Sequence, residues 1–162
     1  MLQQIDFDRA GSIGLSDIAY AYLAAVRSSD LTDRIDQLYA PDAVLIEGHW
    51  EEGVGAPVRG REAIRALMEA RDGIMQLRSL EIEGPMLAGE SDGCDGTFAV
   101  ITRFVLQSVQ GRPLQRVASV STFEVQAGMI RKQVIYLSPT TSPVEPASRW
   151  AAGLEGAGSE GD

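Results

Sequence analysis

The sequence predicts an α+β domain in which helices come first and a meander of antiparallel strands follows. Up to about residue 73 the apolar side chains recur every three or four positions, the period of a helix with one buried face. From Leu80 to Leu137 they alternate with polar ones, the period of a strand. Short links rich in turn residues join the alternating segments, so consecutive strands pair antiparallel, and the separation of helices from strands argues against βαβ units.

In chain order, the first helix is expected over Leu15 to Val26, where Leu15, Ile18, Ala19, Tyr22, Leu23 and Val26 form one apolar stripe and Ser16 and Asp17 stand near the start. Tyr22 lies in that stripe and Tyr20 off it. A second, short helix is expected from Thr32 to Tyr39, capped by Thr32 and stopped before Pro41, because the residue before a proline avoids the helical region. Ala43 to Glu47 reads as a strand, and the Gly- and Pro-rich stretch Gly48 to Gly60 as a loop. The third helix carries Ile64, Leu67 and Met68 on one face and ends near Gly73. Four strands follow, marked by Leu80 and Ile82, by Phe98 to Leu106, by Val117 to Val125 and by Ile130 to Leu137. Their turns fall at Gly89 to Gly96, Gln110 to Arg112 and Ala127 to Gly128. Residues 1–137 form one domain on this reading. Residues 138–162, rich in Pro, Gly and Ser, form a tail expected to be mostly disordered, in which Trp150 and Leu154 are spaced to share a helical turn.

With 23 acidic and 14 basic residues the chain carries a formal charge of −9, and Lys132 is its single lysine, so there is no basic stripe to neutralise phosphates and no nucleic acid partner is expected. No apolar run approaches the ~20 residues of a membrane span, and the acidic start Met1 to Asp8 is unlike a signal peptide. No membrane association and a cytoplasmic location are expected. Cys94 is the single cysteine, which excludes an internal disulfide, and its neighbours Asp92 and Asp95 disfavour a thiolate. His49, Glu51 and Glu52 are too thin a set for a metal site, and Gly53 to Gly60 lacks the spacing of a dinucleotide loop, so neither metal nor cofactor is expected.

The segments Tyr22 to Val26, Asp30-Leu31, Leu38-Tyr39-Ala40-Pro41-Asp42-Ala43-Val44 and Gly60-Arg-Glu-Ala-Ile64, in this order, resemble the NTF2-like superfamily, and more narrowly its SnoaL-like and ketosteroid-isomerase-like branch. The resemblance covers about residues 15 to 137. It implies a cone-shaped fold, a curved, mostly antiparallel sheet wrapped on three N-terminal helices around an apolar pocket, and a homodimer formed through the outer sheet face. It also implies an apolar small-molecule ligand, although the superfamily holds binding and assembly modules as well as enzymes.

In the ketosteroid isomerases a tyrosine on the first helix binds the substrate oxygen and a carboxylate near the end of the first strand moves the proton. These roles fall here on Tyr22 and Glu47. The second oxyanion donor of those enzymes, a protonated aspartic acid, falls on Ser121, a departure that leaves that half of the site either weaker or built differently. Ketosteroid isomerase is itself a standard example of pKa tuning. The implied activity is proton transfer on an apolar carbonyl compound such as a steroid, polyketide or terpenoid, of isomerase, cyclase or dehydratase type; the alternative is a non-catalytic binding or assembly module. The epoxide hydrolases of the superfamily use an Asp-Arg-Asp set that cannot be placed on this sequence.

The residues themselves add to this. Leu45 and Glu47 share one side of their strand, so Glu47 faces the pocket if Leu45 does, and a carboxylate among apolar neighbours becomes a better base because its charge is disfavoured. Ser119 and Ser121 share a face with Phe123 and leave room and donors for a ligand. His49, two residues beyond Glu47, reads as an acid, base or ligand contact or else as an exposed loop histidine, and Trp50 as a lid or pocket rim or else as an ordinary packing or dimer contact. Ser119, Phe104, Phe123 and Tyr136 complete the expected ligand contacts. Arg103, Arg116 and Lys132 are expected to be solvated.

Overall fold

A computed structural model of the chain describes residues 13–49, 53–90, 92–110 and 115–138. The elements are α1 (Leu15–Ser28), α2 (Ile35–Leu38), β1 (Tyr39–His49), β2 (Gly53–Val54), β3 (Val58–Arg59), α3 (Arg61–Ile74), β4 (Met75–Ala88), β5 (Gly96–Ser108), β6 (Gln115–Gln126) and β7 (Met129–Leu137). The seven strands form one sheet in the order β2-β1-β7-β6-β5-β4, with β3 also on β1. All pairings are antiparallel except that of β1 with β7. The chain therefore has the α+β NTF2-like architecture, with helices packed on a mostly antiparallel sheet.

Helix α1 begins where its apolar stripe begins. The Gly14 amide donates to Asp17 Oδ2 at 3.2 Å, which anchors the first turn, and Ser29 closes the helix in the left-handed region at φ 57°. Helix α2 is shorter than expected. Thr32 does not cap it; its hydroxyl donates to Asp72 Oδ2 of α3 at 3.2 Å, and residues 31–34 form turns instead. The first strand is longer than expected because the chain is extended from Tyr39 onward, and Pro41 is accommodated where the pairing of β1 with β7 shifts register between Tyr39 and Val44. The loop after β1 contains the two short strands β2 and β3.

Glu47 of β1 and Leu77 and Leu80 of β4, strands toward opposite ends of the sheet order, line one cavity with α3, so the sheet curls around it. Long strands allow this: β4 has 14 residues and breaks its register with β5 twice, between Leu77 and Ser79 and between Glu83 and Met86. At the second break Gly84 adopts φ +117°, a conformation open to glycine, and a side chain there would meet the backbone oxygen of Ala99 at 3.0 Å. Inside the curl, Leu15, Ile18, Leu23, Ile35, Leu38, Ile64, Phe98 and Phe123 form the core. Among the described residues no helix is long and apolar enough to cross a membrane. The expected tail from residue 139 and the residues Trp50, Trp150 and Leu154 lie outside the described residues.

Candidate active site

Between α1, α3 and the concave face of the sheet is a cavity of about 310 Å³, at the small end of the range for ligand pockets (about 300–1,000 Å³). Its walls are set by strand alternation. Val100, Thr102, Phe104 and Leu106 come from β5, Val117, Ser119 and Ser121 from β6, and Gln133, Ile135 and Leu137 from β7. Tyr22 and Val26 enter from α1, Glu47 from β1, and Met68, Arg71 and Asp72 from α3.

The Glu47 side chain, 13% exposed, is not surrounded by apolar groups alone, as its strand position suggested. Its Oε1 accepts a hydrogen bond from the Arg71 guanidinium in a partly buried ion pair. The other oxygen, Oε2, is buried without a hydrogen-bond partner among the described residues. Arg71 thus holds the carboxylate in one orientation and leaves one oxygen free to take a proton.

A second polar group is built behind Tyr22. The Tyr39 hydroxyl donates to Gln133 Oε1 at 2.5 Å, and Gln133 Nε2 donates to the Tyr22 oxygen at 3.3 Å. The short contact suits an O–H donor and the long one an N–H donor, which fixes the orientation of the amide. All three side chains are buried. With its oxygen already accepting from Gln133, Tyr22 keeps its own proton to donate. Burial pushes the Tyr22 hydroxyl up to about 12, against smaller opposing effects of the Gln133 hydrogen bond and the Arg71 charge, and raises Tyr39 as well. Both remain neutral donors at ordinary pH. The Tyr22 ring is seated by aromatic contacts, tilted on Phe123 at 4.5 Å between centroids, with Phe98 stacked on Phe123 at 4.2 Å.

The structure brings Tyr22, Glu47, Ser119, Ser121 and Phe104 to the one cavity. It separates others from it. Phe123 is 1% exposed and lies in the core beneath Tyr22, because its ring is consumed by packing on Phe98 and Tyr22 rather than left for a ligand. Tyr136 is 37% exposed and sits between Ile135 and Leu137, so alternation turns it to the opposite face of β7. His49 is not among the cavity-lining residues, although it follows Glu47 by two positions; here β1 pairs with β2 at its very end. Arg103 and Lys132 are solvated, paired with Glu83 and Glu124, and Arg116 is exposed.

Arg71 and Gln133 were missed by the sequence reading. Each had a signal. Arg71 stands seven residues after Ile64, on the face that Ile64, Leu67 and Met68 define, and Gln133 shares the alternation of Ile135 and Leu137. A charged or polar residue placed on an apolar face is the mark of a buried function or a buried pair.

The SnoaL-like domain family matches residues 19–133, most of the chain, and the protein belongs to that family. Solved structures of similar fold include a Mesorhizobium loti protein named as a SnoaL-like polyketide cyclase, 20% identical over 75% of this chain and 97% of that one, with a TM-score of 0.61. A ketosteroid isomerase-like protein from Erwinia carotovora atroseptica is 15% identical over 85% of this chain and 100% of that one, also at 0.61. An NTF2-like protein from Burkholderia xenovorans is 17% identical over 78% and 92%, at 0.55. At these identities the likeness is one of fold. No curated protein matches the sequence.

Proposed function

We propose that the protein moves a proton on an apolar, carbonyl-containing small molecule, as an isomerase, cyclase or dehydratase. The observation that carries this reading is the free, buried Oε2 of Glu47 in the same cavity as a Tyr22 hydroxyl whose oxygen is already satisfied by Gln133. Glu47 Oε2 takes the proton from the carbon next to the carbonyl, the C–H electrons flow into the carbonyl oxygen, and Tyr22 donates a hydrogen bond to the enolate. Return of the proton at the far end of a β,γ double bond gives the conjugated ketone. The names of the polyketide cyclase and ketosteroid isomerase-like structures accord with this class of reaction.

The test is isomerisation of cyclohex-3-enone by the wild type and by Glu47→Gln between pH 5 and 9. Turnover that falls about 10²- to 10⁴-fold in the variant, with folding retained, supports the reading. Equal rates reject Glu47 as the base. Ligand binding without turnover, unchanged in Glu47→Gln and Tyr22→Phe, moves the protein to the class of non-catalytic binding modules.

The ion pair favours a second reading. A carboxylate oriented by a guanidinium can also take a proton from water, whose oxygen would then open an epoxide while Tyr22 donates to the departing oxygen. Hydration of cyclohexene oxide, with the same variants, separates the two.

A further inference from the structure

The cavity has a second polar end that this chemistry leaves unused. On its β5–β6 wall Thr102 and Ser119 are cross-strand neighbours whose hydroxyls share one hydrogen bond at 2.6 Å. Whichever of them donates, one of their two protons remains for a third group. Ser121, on the same face of β6, is 6% exposed and lines the cavity.

The sheet register places this row relative to Glu47. Glu47 pairs with Ile135, Ile135 with Ser121, and Ser121 with Val100. Ser121 is therefore two strands from the carboxylate, about 10 Å along the sheet, and Thr102, on the next inward row with Ser119 and Leu137, is three strands across and two residues along, about 16 Å. The straight path across the curled sheet is shorter. Between the two ends the wall is apolar, formed by Ile135, Leu137 and Val100.

We propose that Thr102 and Ser119 form a distal subsite for a hydroxyl or carbonyl oxygen, so that the ligand is an otherwise apolar molecule with a second oxygen function away from the reacting carbonyl. The proposal rests on the proton-transfer reading for which end reacts. It narrows the substrate class to bifunctional compounds, with one oxygen at the reacting carbonyl and one at the Thr102–Ser119 pair.

The test is fluorescence titration of the full chain with 2-naphthol and with 2,6-dihydroxynaphthalene, which differ only by the second hydroxyl. The wild type should bind the diol about tenfold more tightly, well beyond the roughly twofold that its two equivalent ends allow, as one added hydrogen bond predicts. In the double variant Thr102→Val with Ser119→Ala, which removes both hydroxyls, that ratio should fall to about the statistical value. In Thr122→Val, on the exposed face of β6, it should persist. A wild-type ratio at the statistical value, including no binding of either compound, overturns the proposal, and so does a gain that survives the double variant. Because the ratio is read from binding alone, its loss alongside intact turnover of cyclohex-3-enone rejects the subsite and not the reaction. A ratio that follows Thr102 and Ser119 without turnover does the reverse.

Discussion

The Tyr39 hydroxyl donates to Gln133 Oε1 across 2.5 Å, and that contact, made in the core, settles which atom of Gln133 meets Tyr22 in the cavity. The amide is turned so that it gives a proton to Tyr22, and Tyr22 must give its own elsewhere. A buried hydrogen-bond chain thus sets the polarity of the cavity.

Gln133→Leu should leave two buried hydroxyls without their partner and lower stability by about 2–4 kcal/mol, read as a drop in the urea midpoint. Tyr39→Phe should cost less, about 1–2 kcal/mol, because it leaves only the amide oxygen unsatisfied. If the two variants matched the wild type, the chain would have no structural weight.

Removing the cation should hurt more than removing the charge. Arg71→Met leaves the Glu47 carboxylate buried and unpaired, with an expected loss of about 3 kcal/mol, whereas Arg71→Met combined with Glu47→Gln should recover most of it. A double variant no more stable than the single one would show that the pair is not coupled.

Alkaline titration should separate the four tyrosines. The folded-state value of Tyr22 is raised to about 12 and that of Tyr39 is raised above its ordinary 10, so the folded state holds these protons more tightly than the unfolded chain. Their contribution to stability is fully present below pH 10 and is lost as pH rises from there through the folded values. Tyrosinate absorbance should show Tyr22 and Tyr39 ionising only with unfolding, and the stability loss above pH 10 should be shallower in Tyr39→Phe.

Gly84→Ala tests the bend of β4. Its φ of +117° is strained for any other residue and the new methyl would press on the Ala99 carbonyl, so stability should fall by about 1–3 kcal/mol, measured by thermal unfolding. A neutral substitution would mean that the strand can straighten there at no cost.

Local pattern was enough for most of the framework. The stripe from Leu15 to Val26, the change of period after Gly73 and the turns at Gly89 to Gly96 and Ala127 to Gly128 are written in neighbouring residues, because a helix face and a strand face each follow from a fixed repeat. The same alternation carried Glu47, Ser119, Ser121 and Phe104 to the cavity wall. It could not separate Phe104 from Phe123, both of which alternate inward; only the stacking of Phe98 and Tyr22 on Phe123 decided that one ring is core and the other wall.

What remained for the tertiary structure was every relation between distant segments. Glu47 and Arg71 are 24 residues apart, and Tyr22 and Gln133 are 111 apart. The sequence by itself determined the order of the longer elements, most of their inward faces and the family resemblance. Only the curl of the sheet, which brings β1 and β4 to one cavity, decided that the carboxylate has a guanidinium partner and that the tyrosine has its oxygen satisfied. Periodicity reports which way a side chain faces, whereas the identity of what it faces depends on how far the strands bend and where their registers break.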